Sequence, residues 1–560
     1  MAPSGNKTQY GQATVVGVPV AVKEGKDPVS NHKVPLQGAA NMRASSMLRA
    51  LGAVLVLLCL VTFTMGEVKL PAVISSHAVL QREMAVPIWG TAAPGEKVTV
   101  KFRDQEKSAV ADPQGKWLVK LDPLKTGGPD KLTVTGVNTL TLDDVLVGEV
   151  WLGSGQSNMQ GGVGGYTKTD EVLAKLAAAS YPKLRLKQSG SHGWQEATAQ
   201  TNGQFSALLF AFGVRLQQEL DVPVGLMVGA VGGTPSGYWL SQEAYDEDAA
   251  CKDVVKQFAA TYPVDQMQKD YEQALAKWEK DVEAAKQKGE KRLPGKPRPP
   301  LKAGECSGKI GHLYEGLIRP YIPYGMRGVL WDQGESGTAI HGVDQYTLMG
   351  ALIRGWRKEW GQGDFPFLYV QKPSGGGCAW DPADPITCQA EKFAPLPAKA
   401  PASNEGIYRE THIRIMQYPN TAMAISTDLG SGIHPVNKSG YGARAARVAL
   451  GMVYGRKVEI YGPIYQSHQV EGQKVRVKFS HVGQGLAMRH GEKLQGFQIA
   501  GDDKTFRWAD AVIEGDTVVL SSPEVSKPAA VRYAWANSSP WANLFNKDGL
   551  PALTFRSDSW

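Results

Sequence analysis

Hydrophobic and polar positions change rhythm several times along the chain. Residues 68–145 alternate in short β-branched runs: His77-Ala-Val-Leu80, Met84-Ala-Val-Pro-Ile-Trp89, Lys97-Val-Thr-Val-Lys-Phe102, Lys116-Trp-Leu-Val-Lys-Leu121 and Lys131-Leu-Thr-Val-Thr135. Pro and Gly punctuate them at Ala93-Pro-Gly95, Pro113-Gln-Gly115 and Gly127-Gly-Pro129. That spacing predicts a small β-sandwich. From residue 146 the runs become predominantly apolar and alternate with helical stretches: 145–152, 224–231, 328–331, 365–371 and 422–427. Continuous apolar strands separated by helices predict a parallel sheet covered on both faces. Each run ends in a loop rich in Gly, Ser or charged residues, and ligands of open α/β sheets bind at such strand ends. Residues 455–560 return to β, with Lys474-Val-Arg-Val-Lys-Phe479, Phe497-Gln-Ile-Ala500, Thr517-Val-Val-Leu520 and Ala530-Val-Arg-Tyr-Ala-Trp535.

Between 243 and 303 the α/β rhythm is interrupted. Met267, Tyr271, Leu275, Trp278, Val282 and Ala285 form a stripe at helical spacing, expected to pack against the domain. Pro294-Gly-Lys-Pro-Arg-Pro-Pro300 then ends the helix in an extended basic linker. The expected organisation is therefore an N-terminal segment at 1–66, a β-sandwich at 67–145, an α/β domain at 146–454 with a helical insertion at about 243–303, and a β domain at 455–560. A chain of 560 residues has room for roughly three or four domains.

Composition, 42% hydrophobic and 21% charged, is that of a globular protein. The net charge of +7 is local: residues 1–49 carry +4 and Lys286–Lys302 carry +6, leaving −3 elsewhere. This argues against a nucleic-acid partner. Residues 50–66 hold no charge, follow Arg43 and Arg49, and include Leu51-Gly-Ala-Val-Leu-Val-Leu-Leu-Cys-Leu60. Seventeen residues is short for a membrane span and suits a signal peptide, with an uncleaved N-terminal anchor as the alternative. The bulk of the chain is thus expected to be secreted or periplasmic, with residues 1–41 an upstream extension of the reading frame ahead of Met42 and Met47. Cys59 belongs to the signal; among the other four cysteines, Cys251–Cys306 and Cys378–Cys388 pairs stand beside four free thiols as open alternatives.

The candidate chemistry sits on the loops that follow the apolar runs. Ser157 lies in the turn of Gly148-Glu-Val-Trp-Leu-Gly-Ser-Gly-Gln-Ser-Asn-Met-Gln160, and an alcohol there needs a base to become a nucleophile. His434, in Asp428-Leu-Gly-Ser-Gly-Ile-His-Pro435, is the candidate base. The glycines of Gly229-Ala-Val-Gly-Gly-Thr-Pro-Ser-Gly-Tyr-Trp239 leave backbone N–H groups unobstructed, as an oxyanion hole requires. Gly328-Val-Leu-Trp-Asp-Gln-Gly-Glu-Ser336 brings Gln333, a side-chain amide donor, and Glu335 to the rim. No His/Cys/Asp cluster has metal-ligand spacing, no phosphate loop is present, and Gly155-x-Ser157-x-Met159 lacks the second Gly of the α/β-hydrolase elbow. No cofactor is expected.

Together, Gly148-Glu-Val-Trp, Gly155-Gln-Ser-Asn-Met159, Val231-Gly-Gly-Thr-Pro235, Trp331-Asp-Gln-Gly-Glu-Ser336 and Ile433-His-Pro-Val-Asn-Lys438 resemble the sialate O-acetylesterases of the SGNH (GDSL-like) hydrolase group. The resemblance implies an SGNH-type doubly wound parallel sheet flanked by small N- and C-terminal β-sandwich domains. It also implies a serine esterase that removes O-acetyl groups from carbohydrates, most readily acetylated sialic acids, through an acetyl-enzyme. Plant or algal polysaccharide such as acetylxylan is the rival substrate, and a non-catalytic carbohydrate-binding protein the rival class. By the same resemblance Ser157 is the nucleophile, His434 its base, and the N–H groups of Ser157 and Gly233 with the Gln333 side chain are the oxyanion donors. Two positions depart from the pattern: Gly337 stands where the family has Asn, and Ser431 where the wider group has the Asp three residues before the His. The third triad member stays open between Asp428, Glu335 and a backbone carbonyl.

Overall fold

The computed structural model describes residues 66–401 and 404–560. The signal, the upstream extension and Cys59 lie outside the described residues. The fold is mixed α/β: a central mixed sheet with β-sheets on either side of it in sequence.

The nucleophile segment belongs to a strand of 17 residues, Thr139–Gly155 (β1). Its first third alternates between exposed and half-buried positions, and from Val145 onward every residue is buried. The change marks two environments. The first part pairs antiparallel with Gly127–Thr135 and belongs to the N-terminal layer. The last part is flanked on both sides by parallel strands. The boundary expected at 145/146 thus falls inside one continuous strand.

The remaining central strands are Tyr181–Gln188 (β2), Gln195–Ala197 (β3), Val224–Ala230 (β4), Gly328–Asp332 (β5), Phe367–Val370 (β6) and Thr421–Ala424 (β7). Their order is β7-β6-β5-β1-β4-β2-β3. All neighbours are parallel except the antiparallel edge strand β3. β1 lies at the centre, with Gly155 opposite Ala230 on one side and Asp332 on the other. The carboxyl ends of β1, β4 and β5 therefore coincide, which is where the sequence places three of its four candidate loops.

Helices Ala207–Leu220 (α1), Gln345–Trp360 (α2), Ile407–Ile415 (α3) and Lys438–Met452 (α4) connect and cover these strands. Ser206, Asp344 and Asn437 cap α1, α2 and α4 by accepting from the N–H three residues on, each worth about 1 kcal/mol. The α4–α1 contact depends on a small residue: a Cβ at Gly442 would stand 2.5 Å from Ala211 Cβ.

The insertion folds as helices Gln242–Glu247, Ala249–Thr261 and Val264–Gln287. The stripe on the last helix is half-buried apart from Ala285, which is buried. The basic linker folds back over part of it: Trp278 Nε1 donates to Pro294 O at 2.8 Å, and Lys296 Nζ lies 5.6 Å from the Trp278 ring. The C-terminal region forms two four-stranded sheets and a two-stranded one. Cys251, Cys306, Cys378 and Cys388 are all free thiols, so neither candidate pair is bridged. Among the described residues no helix is long and apolar enough to cross a membrane.

Candidate active site

Ser157 opens a single helical turn, Ser157–Gln160, directly after β1. Gly155 makes the turn possible. Its φ is +127°, and a Cβ there would lie 2.1 Å from Asp332 O on β5, so the nucleophile strand can approach β5 only without a side chain. Ser157 is half-buried between Gln156 and Asn158, which are each 2% exposed.

The decisive contact spans 277 residues: His434 Nε2 and Ser157 Oγ are 2.9 Å apart. The loop after β7 thus carries the imidazole to the hydroxyl at hydrogen-bond distance, the arrangement a general base needs. The glycine loop after β4 lies alongside, since a Cβ at Gly232 would stand 3.2 Å from Ser157 Cβ. Gly233 follows with φ +71°. Among the described residues neither the Ser157 nor the Gly233 N–H makes a hydrogen bond within the protein. Gln333 is 1% exposed and engaged: Nε2 donates to Gly337 O at 3.0 Å and Thr234 O at 3.4 Å, while Oε1 accepts from Gln345 Nε2 at 3.0 Å. The structure therefore brings Ser157, His434 and the Gly233 loop together, and places Gln333 beneath that loop.

The two candidate acids are occupied elsewhere. Asp428, fully buried, accepts from Arg444 on α4 at 3.0 and 2.8 Å. Glu335 accepts from Gln156 Nε2 at 2.6 Å and from Asn158 Nδ2 at 3.4 Å, holding the residues on either side of the nucleophile. Among the described residues no hydrogen bond joins either carboxylate to His434. Ser431 is exposed.

Four further residues support this geometry without having been singled out for a role. Asn158 donates to Ile433 O at 3.1 Å and accepts from Lys438 Nζ at 2.7 Å, linking the nucleophile turn to both flanks of His434. Lys372, fully buried after β6, lies 2.6 Å from Asp332 Oδ1 and 2.8 Å from Glu335 Oε1. Burial pushes Lys438 down to about 7, and burial also raises Asp332 despite Lys372 beside it. Lys372 itself stays cationic: burial opposes its charge, but Asp332 and Glu335 outweigh burial and hold it above the usual lysine range. Asn158 and Lys438 stood inside motifs already quoted, so motif membership was their signal. Asp332 also stood inside a quoted motif, Trp331-Asp-Gln-Gly-Glu-Ser336, whereas Lys372 had only its position after a strand end.

The departure at Gly337 has a backbone reason. Its φ is +61°, a left-handed conformation that Gly and Asn both tolerate, so the exchange preserves the turn. No metal site competes with this chemistry at the His77, Asp144 and Glu196 cluster, because Arg185 Nη2 already lies 2.8 Å from Asp144 and 3.3 Å from Glu196.

Residues 147–285 match the family model described as carbohydrate esterase, sialic acid-specific acetylesterase. That segment is similar to the carbohydrate-esterase family. The sialate O-acetylesterase of Mus musculus is 27% identical over 539 residues, covering 86% of this chain and 92% of its own. The sialate O-acetylesterase of Homo sapiens is 26% identical over 515 residues, covering 82% and 86%. Among solved structures, a carbohydrate acetylesterase from Xanthomonas citri superposes with a TM-score of 0.67 at 28% identity, covering 88% of this chain and 100% of its own. The matched segment starts on β1, contains Ser157 and Gly233, and runs into the helical insertion. The chain is a carboxylic ester hydrolase.

Proposed function

We propose that this esterase is exported and removes O-acetyl groups from carbohydrates, acetylated sialic acids first among them, by way of an acetyl-enzyme on Ser157. The observation that carries the proposal is the 2.9 Å contact between Ser157 Oγ and His434 Nε2. His434 takes the hydroxyl proton as Oγ attacks the acetyl carbonyl. The tetrahedral oxyanion is received by the N–H groups of Ser157 and Gly233. Gln333 Nε2 joins them by exchanging its 3.4 Å bond to Thr234 O for the charged acceptor, which binds more strongly. The imidazolium then protonates the departing sugar oxygen. Water, deprotonated by His434, attacks the acetyl-enzyme and releases acetate.

In this reading the enzyme works as a Ser–His dyad. Asp428 and Glu335 serve the frame: one fixes α4 through Arg444, and the other fixes Gln156 and Asn158. Orientation of His434 comes from Pro435 and from Ile433, whose carbonyl Asn158 holds. Serine hydrolases keep substantial rate enhancement without the acid, because the oxyanion hole and binding remain. The parallel order β7-β6-β5-β1-β4-β2 supports assigning the core to the doubly wound SGNH type. Sialate as the preferred sugar rests on the sialate O-acetylesterases named above, and export on the uncharged segment at 50–66.

Acetate release from acetylated sialic acids and from acetylxylan, with Ser157→Ala alongside, tests the proposal. Release from sialate esters that vanishes in the variant is expected. Preferential release from xylan would move the substrate to plant polysaccharide. Failure of a serine-directed organophosphonate to label Ser157 would leave only a carbohydrate-binding scaffold. Recovery of the protein outside the cytoplasmic membrane with a new N-terminus near residue 66 is expected for a cleaved signal.

A further inference from the structure

A cavity of about 710 Å³ opens between α4, the residues that follow it and the C-terminal region, and neither Ser157 nor His434 lines it. Its volume falls within the range of small-ligand sites. Six cationic side chains and four carboxylates line it. The carboxylates are already engaged. Glu219 pairs with Arg215 at 2.7 Å, and Glu459 meets His481 at 2.9 Å. Asp548 accepts from Gln484 N at 2.9 Å, and Asp384 from Ile386 N at 2.9 Å.

The cations are engaged unequally. Arg444 is held by Asp428, and Arg215 by Glu219. Arg447 and Arg456 donate only to the neutral carbonyls Glu459 O, at 2.6 Å, and Glu219 O, at 3.1 Å. Among the described residues Lys457 and Lys547 make no ion pair, nor do Arg447 and Arg456. Six cations and four carboxylates leave the lining two positive charges in excess. Arg447 sits beside Arg444; burial first and then that like charge lower its pKa, against the carboxylates of Asp548 and Glu459, which raise it. A site that gathers mutually repelling cations is stabilised by an anion. Trp380 also lines the cavity, with the Arg489 guanidinium stacked over its ring at 4.1 Å.

We propose that this cavity is a second saccharide-binding site, selective for sugar units that carry a carboxylate. The sugar part rests on the carbohydrate reading above; the charge part rests on the cavity alone. The site also lies behind the catalytic loop: the carbonyl of Ile386, one of its lining residues, accepts from Asn437, three residues after His434. A polymer anchored here is held against the same loop that presents the base.

Calorimetric titration of the full chain, with Ser157 blocked by an organophosphonate, tests this. The probes are N-acetylneuraminate, trigalacturonate, neutral xylotriose and inorganic phosphate. Both acidic sugars are expected to bind and xylotriose not, with affinity falling about tenfold as salt rises from 50 to 500 mM. Lys457→Glu, at an exposed position, and Arg447→Gln with Lys457→Gln are expected to weaken binding about tenfold or more, with acetate release by the unblocked enzyme unchanged. Equal binding of xylotriose, unaltered binding in a folded variant, or binding of phosphate alone would overturn the proposal. Acidic-sugar binding lost in these variants by a protein that releases no acetate would uphold this site while the esterase reading fell.

Discussion

Asp428 gives both carboxylate oxygens to Arg444, at 3.0 and 2.8 Å, in a pair that is almost wholly buried. Breaking such a pair by removing one partner costs about 3–5 kcal/mol, because the other charge is left buried. Asp428→Asn is therefore expected to lower the melting temperature markedly while the folded fraction keeps kcat within about threefold. Asp428→Asn with Arg444→Gln should recover part of the stability. A variant that melts normally and loses acetate release about a hundredfold would make Asp428 a member of the triad instead.

Glu335 touches the residues on both sides of Ser157, so its charge acts on the nucleophile's position. Glu335→Gln replaces one acceptor oxygen by a donor and leaves Lys372 without half its neutralising partners. We expect kcat to fall about ten- to a hundredfold, or about 1.4–3 kcal/mol, with KM little changed. Steady-state kinetics on an acetylated sugar separates this from a binding defect, which would raise KM alone.

His412 is expected to contribute to the loss of stability in acid. It is buried beside Lys372 and Arg409, and burial, then those cations, push it down to about 3 from an ordinary value of 6.5. The unfolded chain takes up a proton below about pH 6.5, whereas the folded one resists until about pH 3. Stability is therefore intact above pH 6.5 and lost as pH falls through that window, at up to about 1.4 kcal/mol per pH unit. His412→Gln should flatten the dependence of melting temperature on pH between 4 and 6; an unchanged slope would assign acid sensitivity to other groups.

Gly337 tests the backbone argument directly. At φ +61°, Asn is tolerated and a β-branched residue is not, a difference of about 1–2 kcal/mol. Gly337→Asn is expected to keep activity and melting temperature. Gly337→Val should lose both, because Gly337 O also accepts from Gln333 and Ser236. A fully active Gly337→Val variant would contradict this account.

The strand ends were legible in the sequence because a buried parallel strand announces itself as an apolar run that stops at small or polar residues. Ser157, Gly233 and His434 could be placed on loops in that way, and the structure sets Ser157 against His434. The partners of Asp428 and Glu335 were not legible. Arg444 lies one helical face away from Asp428 after an irregular loop, and Glu335 meets Gln156 across the gap between β5 and β1, contacts that depend on side-chain direction rather than on spacing. Lys372 was hidden for a related reason: lysines are rarely buried, so one is expected in solvent until the acids around it are known. The continuity of β1 escaped because its pattern changes at Val145, and a change of pattern in one dimension looks the same whether the chain enters a new domain or a single strand enters a new environment.

That shared strand also sets a timetable for the chain as it is made. The first part of β1 finds its partner, Gly127–Thr135, across a short turn, so this hairpin closes as soon as both arms leave the ribosome. The apolar part ending in Ser157 must wait for Val224–Ala230 and then for Gly328–Asp332. During that interval its unpaired edge is open to pairing with other chains. Pairing with Val79–Gln81, already synthesised and parallel to residues 146–148, shields part of it. The N-terminal layer is thus an internal escort for the strand that bears the nucleophile, and a shortened chain beginning near residue 146 would lack that protection.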